Sequence, residues 1–203
     1  ITDHSLTESM NANNSNTVVV FDGSSIPITN ATVLDGFTLK SSIKKYSKCI
    51  NTVNNASPTI QNCILLGSSG EANSDVLYNI YVNNYSSPII KNNILKGGTL
   101  VDGATHVNIL LISNTSPVIN DNTFYAPIRI GAGLWPFAHI VEVDGTSDPV
   151  EVNNNIFIDP DTDGGGTLLL YWDEYSTEVT DLHTVISLKN SSGTLASFGN
   201  TIQ

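Results

Sequence analysis

Apolar and polar positions along this chain follow neither a helical period nor a simple alternation over long stretches. They recur in columns. Four segments align on one another: Ser57-Pro58-Thr59-Ile60-Gln61-Asn62-Cys63-Ile64-Leu65, Ser87-Pro88-Ile89-Ile90-Lys91-Asn92-Asn93-Ile94-Leu95, Ser116-Pro117-Val118-Ile119-Asn120-Asp121-Asn122-Thr123-Phe124 and, with one inserted residue, Asp148-Pro149-Val150-Glu151-Val152-Asn153-Asn154-Asn155-Ile156-Phe157. Fainter copies occupy 34–39 and 197–202. Internal repetition on this scale is the signature of a solenoid and takes precedence over local propensities.

The columns have a physical reading. Gly36, Asn62, Asn92, Asp121, Asn154 and Gly199 fill one column with the residue types that tolerate a left-handed backbone, so the chain bends there in every copy. Two positions later stands a wholly β-branched column, Thr38, Ile64, Ile94, Thr123, Ile156 and Thr201, suited to strands. Apolar columns flank the bend: Leu34, Ile60, Ile90, Ile119 and Val152 before it, and Leu39, Leu65, Leu95, Phe124, Phe157 and Ile202 after it. They stand five positions apart, an odd offset that cannot place both on one face of a single strand. The bend brings both indoors, and each copy reads strand, turn, strand. A third apolar stretch precedes the Ser-Pro, at 78–82, 107–112 and 139–143, with counterparts at 18–21 and 185–188.

With turn columns spaced 26, 30, 29, 33 and 45 residues apart, the pattern predicts an all-β fold. It is a right-handed single-stranded parallel β-helix of about six coils, with three short strands per coil. An antiparallel sandwich gives no reason for columns to align across thirty residues. The expected organisation is one domain over 1–203, with an irregular segment at 1–16 and an inserted acidic loop at 159–178, and the whole reads as part of a longer protein.

The repeat resembles the pectin-lyase-like parallel β-helix proteins of the secreted and surface bacterial type, over about residues 17–203. The resemblance implies an inward-facing asparagine ladder at Asn93, Asn122, Asn155 and Asn200, from which Cys63 and Phe37 depart. It also implies an extracellular or cell-surface location. That superfamily holds lyases, hydrolases, adhesins and plain spacers, so the fold alone does not select an activity.

Composition then falls into place. Asn, Ser and Thr make up 66 of the 203 residues, and bends, turns and ladders absorb them. Charge does not fall into place so readily. Residues 1–100 carry six acids and six lysines, whereas 101–203 carry thirteen acids against Arg129 and Lys189. The whole net charge of −11 therefore belongs to the second half, where a cation or a cationic partner is the expectation, beside plain solubility. An acidic chain with no Lys/Arg block argues against nucleic acid, and the lack of an 18-residue apolar run argues against membrane insertion. Cys49 and Cys63 lack zinc spacing and read as small inward-facing residues.

Candidate chemistry sits where the repeat lapses. Asp159-Pro160-Asp161-Thr162-Asp163-Gly164 has the D-x-D-x-D-G spacing of the first half of an EF-hand-type loop, making Asp159, Asp161 and Asp163 candidate Ca²⁺ ligands. Leu170 stands where that loop needs its bidentate Glu, and Asp173 or Glu174 is the available substitute. The same residues also suit a solvated acidic turn. Trp135, Trp172, Glu142, Asp144, Asp173 and Glu174 combine aromatic faces with carboxylates, which fits a polysaccharide or a surface protein as ligand. They fit equally an inserted loop packing on the helix. Glycoside hydrolysis would need opposed carboxylates, for which Glu142 or Asp144 with Asp173 is the candidate pair. Polygalacturonase signatures are missing and none of the four histidines has a nucleophile partner in sequence. The expectation is a non-catalytic recognition domain, with a lyase or hydrolase fragment and a fibre spacer as alternatives.

Overall fold

Each apolar column of the repeat becomes a row of stacked strands. The computed structural model describes residues 16–42, 45–68, 76–101, 104–130, 137–143, 146, 147, 149–158, 168–173, 201 and 202. Before the bends, Val33–Asp35, Thr59–Gln61, Ile89–Lys91, Val118–Asn120 and Glu151–Asn153 form a five-stranded sheet. After the bends, Thr38–Lys40, Ile64–Leu66, Ile94–Lys96, Thr123–Tyr125, Ile156–Ile158 and Thr201–Ile202 form a six-stranded sheet. The third wall holds the long strands Thr17–Asp22, Lys48–Val53, Val76–Asn83, Thr105–Ile112, Phe137–Glu142 and Leu168–Asp173. Every pairing within these walls is parallel and joins a strand to its counterpart one coil away. The described residues contain no helix, and the architecture is a parallel β-solenoid with three strands per coil.

Register reproduces the columns residue by residue. Leu34, Ile60, Ile90, Ile119 and Val152 pair in succession, as do Leu39, Leu65, Leu95, Phe124, Phe157 and Ile202. From Ile60 to Val152 and from Leu39 to Phe157 both columns are buried in one continuous core, joined by Ile50, Ile80, Ile109 and Ile140 of the long-strand wall. Burying each such side chain contributes about 1.5–3 kcal/mol relative to exposure. Phe124 and Phe157 stack at 4.9 Å between centroids.

The bends are left-handed as the residue types require, with φ of 77° at Gly36, 54° at Asn62, 55° at Asn92, 59° at Asp121 and 53° at Asn154. A second bend follows the long strand, at Asn54-Asn55, Asn84-Tyr85 and Ser113-Asn114, where both residues of each pair have positive φ. Sequence columns conceal it because Tyr85 and Ser113 are not turn-forming residues of that kind.

Four turns separate Thr17–Asp22 from Phe137–Glu142, the first and fifth long strands. The described residues make about four coils of the expected six; Leu168–Asp173 and Thr201–Ile202 add single strands beyond them, and the apolar stretch 185–188 and Asn200 lie outside the described residues. Leu168–Asp173 corrects the reading of 159–178 as one inserted loop, because this stretch contains a regular rung paired with Phe137–Glu142. The connection before it, 159–167, has nine residues, the same as 67–75 three coils earlier. The additional length lies instead between Asp173 and Thr201. A local excess of acid and glycine looked like an insertion, while hydrogen bonding followed the apolar 168–172.

Candidate functional site

The long strands depart from strict alternation, with the adjacent pairs Asn79-Ile80, Asn108-Ile109 and His139-Ile140 all buried. Ile80, Ile109 and Ile140 point in, whereas Tyr78, Val107, Leu110 and Val141 gather in a separate apolar cluster with Val76, Tyr81, Ile112 and Val143 around them. At its N-terminal end this outer face carries the described aromatic and cationic groups. The Lys48 ammonium lies 4.9 Å from the Tyr81 ring centre and 5.7 Å from that of Tyr78, and donates to the Tyr46 carbonyl at 2.9 Å. Tyr78 and Tyr81 meet edge to face at 5.3 Å, and Lys45 lies 4.9 Å from the Tyr46 ring. Burial pushes the Tyr78 phenol up to about 12 and lowers Lys48 from its ordinary value. The result is an aromatic cluster around a half-buried cation, with Tyr78 buried and Tyr46 exposed, on a chain that is acidic overall.

The residues singled out in sequence fall unevenly around this wall. Val141 pairs with Trp172 and Glu142 with Asp173 on adjoining strands. Trp172 thereby stands in the register column of Tyr81, Leu110 and Val141. Glu142 and Asp173 stand side by side in the column of Thr52, Val82 and Leu111, which are buried in earlier coils. Trp135, Asp144, Glu174 and the three candidate calcium ligands Asp159, Asp161 and Asp163 lie outside the described residues. Among the described residues no group of three or more His, Cys, Asp or Glu is placed to hold a metal ion.

The asparagines that the family resemblance marks are a buried ladder. Asn93 Oδ1 accepts from the Cys63 backbone N–H at 2.9 Å, Asn122 Oδ1 from Asn93 N–H at 3.0 Å, and Asn155 Oδ1 from Asn122 N–H at 2.9 Å. Their amide nitrogens donate to the carbonyls of Ile60, Ile90 and Ile119, each at 2.9 Å. Each of these three buried amides thus both accepts and donates indoors, as an interior of low dielectric demands.

A second ladder escaped the sequence. Cys49, Asn79, Asn108 and His139 are fully buried at equivalent places of the long-strand wall. The Cys49 thiol faces Asn79 Oδ1 at 3.6 Å, Asn79 Nδ2 donates to Asn108 Oδ1 at 2.6 Å, and Asn108 Nδ2 donates to His139 Nδ1 at 2.7 Å. Spacings of 30, 29 and 31 residues match the repeat and were the available signal. Mixed residue types hid it. Burial pushes the Cys49 thiol up to about 12, so it is an inert thiol. His106 joins at 3.3 Å from Asn108 Oδ1 and is equally buried. Neither described histidine reaches solvent as a general base, while His4 and His183 lie outside the described residues.

Fold and site together define a parallel β-solenoid whose long-strand wall has an aromatic outer face. No family model, curated protein or solved structure matches the chain.

Proposed function

We propose that the chain is a non-catalytic recognition domain of the pectin-lyase-like β-helix kind, displayed outside the cell. It binds a polysaccharide or a surface protein along the outer face of the long-strand wall. Tyr46, Lys48 and Tyr81 support this reading most directly, because they leave aromatic and cationic groups exposed or half-exposed beside the buried apolar cluster of Tyr78, Val107, Leu110 and Val141. Aromatic faces take the C–H faces of sugar rings or the apolar anchors of a protein partner, and Lys45 and Lys48 add hydrogen-bond donors. Trp172 follows Tyr81, Leu110 and Val141 in one register column, which makes it the next residue to test. Asp159, Asp161 and Asp163 precede the strand that bears Trp172, so Ca²⁺ bound there would steady that end of the surface.

Binding to an array of acidic and neutral glycans and to bacterial surface extracts tests the reading, with and without calcium. Tyr46→Ala and Tyr81→Ala should each weaken binding about threefold to tenfold, as expected for loss of one aromatic contact. Trp172→Ala should do the same if the surface is continuous. Release of unsaturated or reducing sugar ends would establish the lyase or hydrolase alternative. Binding that ignores all three aromatic substitutions would refute this location of the site.

A further inference from the structure

Left-handed backbone goes almost everywhere in the solenoid to residues that tolerate it. Among the described non-glycine residues with positive φ, all are Asn or Asp except Tyr46, Tyr85 and Ser113. Tyr46 belongs to the aromatic cluster of the long-strand face. Tyr85 stands apart from that cluster. It is the second residue of the bend that follows Val76–Asn83, at φ 62°, where the coils on either side place Asn55 and Asn114, both at φ 60°. A bulky side chain makes this conformation costly, and a residue held there against that cost is a candidate for function.

Folding draws little from the ring. Tyr85 is 58% exposed and belongs to none of the buried apolar clusters. The backbone beneath it is pinned from coil to coil. Tyr85 N–H donates to the Ser113 carbonyl at 2.9 Å, Asn55 N–H to the Asn84 carbonyl at 3.0 Å, and the Asn84 amide to Asn54 Oδ1. Directly after the bend, Ser87 N–H donates to Ser57 Oγ at 3.1 Å and Ser116 N–H to Ser87 Oγ at 3.2 Å. Neighbouring coils thus hold the strained conformation, and the ring is presented in a fixed place before any ligand arrives.

The residues around the ring define the chemistry. Asn55 and Asn114 are exposed at the same step of the bend, one coil away on each side, at about 4.8 Å per coil. An aromatic face takes the C–H face of a sugar ring, and a primary amide offers both donors and an acceptor to neighbouring hydroxyls. Among the described residues of this bend no cation stands ready for an anionic ligand. The described carboxylate there, Asp22, lies two coils away, and its Oδ1 accepts from Asn54 Nδ2 and Ser24 N–H, each at 2.9 Å. A protein anchor needs apolar walls around the ring, and amides stand there instead.

We propose that Tyr85, flanked by Asn55 and Asn114, is a binding site for a neutral pyranose ring. Tyr85 supplies the stacking face, and the two amides pair with hydroxyls at either edge of the sugar. The site lies at the bend that closes the long strands and does not require Tyr46, Lys48 or Tyr81.

Titration of the whole protein with neutral gluco-, galacto- and manno-oligosaccharides, followed by NMR, tests the site. At least one should shift the Tyr85 ring and the side-chain amides of Asn55 and Asn114, with a dissociation constant on the order of 1 mM. Tyr85→Phe keeps the stacking face and should bind within about threefold of the parent. Tyr85→Asn restores the residue of the neighbouring coils. It should weaken binding about threefold to tenfold and at the same time raise the melting temperature by about 2–4 °C, because the strain is relieved. A ring kept for packing would instead lower the melting temperature when removed. Tyr81→Ala should leave the Tyr85 shifts unchanged, whatever it does to binding on the long-strand face. No shift at Tyr85 from any of these sugars up to about 50 mM, parent-like binding by Tyr85→Asn, a lower melting temperature for that variant, or loss of the Tyr85 shifts in Tyr81→Ala would overturn the site.

Discussion

Adjacent asparagines in one coil hold opposite positions for separate reasons. Asn92 is exposed and left-handed, at φ 55°, where a β-branched residue would cost about 1–2 kcal/mol. Asn93 is buried, and its amide satisfies a bend that would otherwise strand polar backbone in the core. The ladder stops at Cys63, whose thiol lies 3.7 Å from the Leu34 carbonyl, the place filled by an amide nitrogen in later coils. Cys63→Asn should therefore extend the ladder by one rung. The expected gain is about 1 kcal/mol, read as a higher denaturation midpoint. A lower midpoint would mean that the first coil is packed for sulfur.

Strands and bends were readable to different degrees. The two walls beside the first bend were legible because their bend column admits only Gly, Asn or Asp and their apolar columns never lapse. The second bend was illegible because its geometry is shared by unlike residues, Ser113 beside Asn54 and Asn84 at its first position and Tyr85 beside Asn55 and Asn114 at its second. The aromatic cluster was illegible too, since Tyr78 and Tyr81 stand in an ordinary strand and only cross-coil register joins them to Lys48. Acidic residues were overread in turn: as a run they suggested an insertion, although Leu168–Asp173 is a rung. Connections between walls impose their own constraint at Gly98, where an added Cβ would be driven into the backbone carbonyl of Ser68. Gly98→Ala should cost more than about 2 kcal/mol, since backbone must move, and a midpoint within error of the parent would show that this connection yields freely.

At the scale of the molecule, polar columns run along the solenoid as apolar ones do. Ser57 Oγ accepts from the Ser87 N–H at 3.1 Å and Ser87 Oγ from the Ser116 N–H at 3.2 Å, while Asn84 donates to Asn54 and Asn54 to Asp22 on the outside. The polar third of the sequence is thereby scaffold, and recognition is left to the outer long-strand face. Net charge is left over: all of the −11 lies in 101–203, much of it beyond the described coils. The central claim, that buried amides tie coil to coil, is tested most directly by amide hydrogen exchange resolved to single residues at neutral pH. The N–H groups of Cys63, Asn93 and Asn122 lie at bends outside any strand and donate to buried side-chain oxygens of the next coil. They should exchange as slowly as the core strand amides of Leu65, Leu95 and Phe124. Exchange at the rate of surface turns would contradict the ladder and the account built on it.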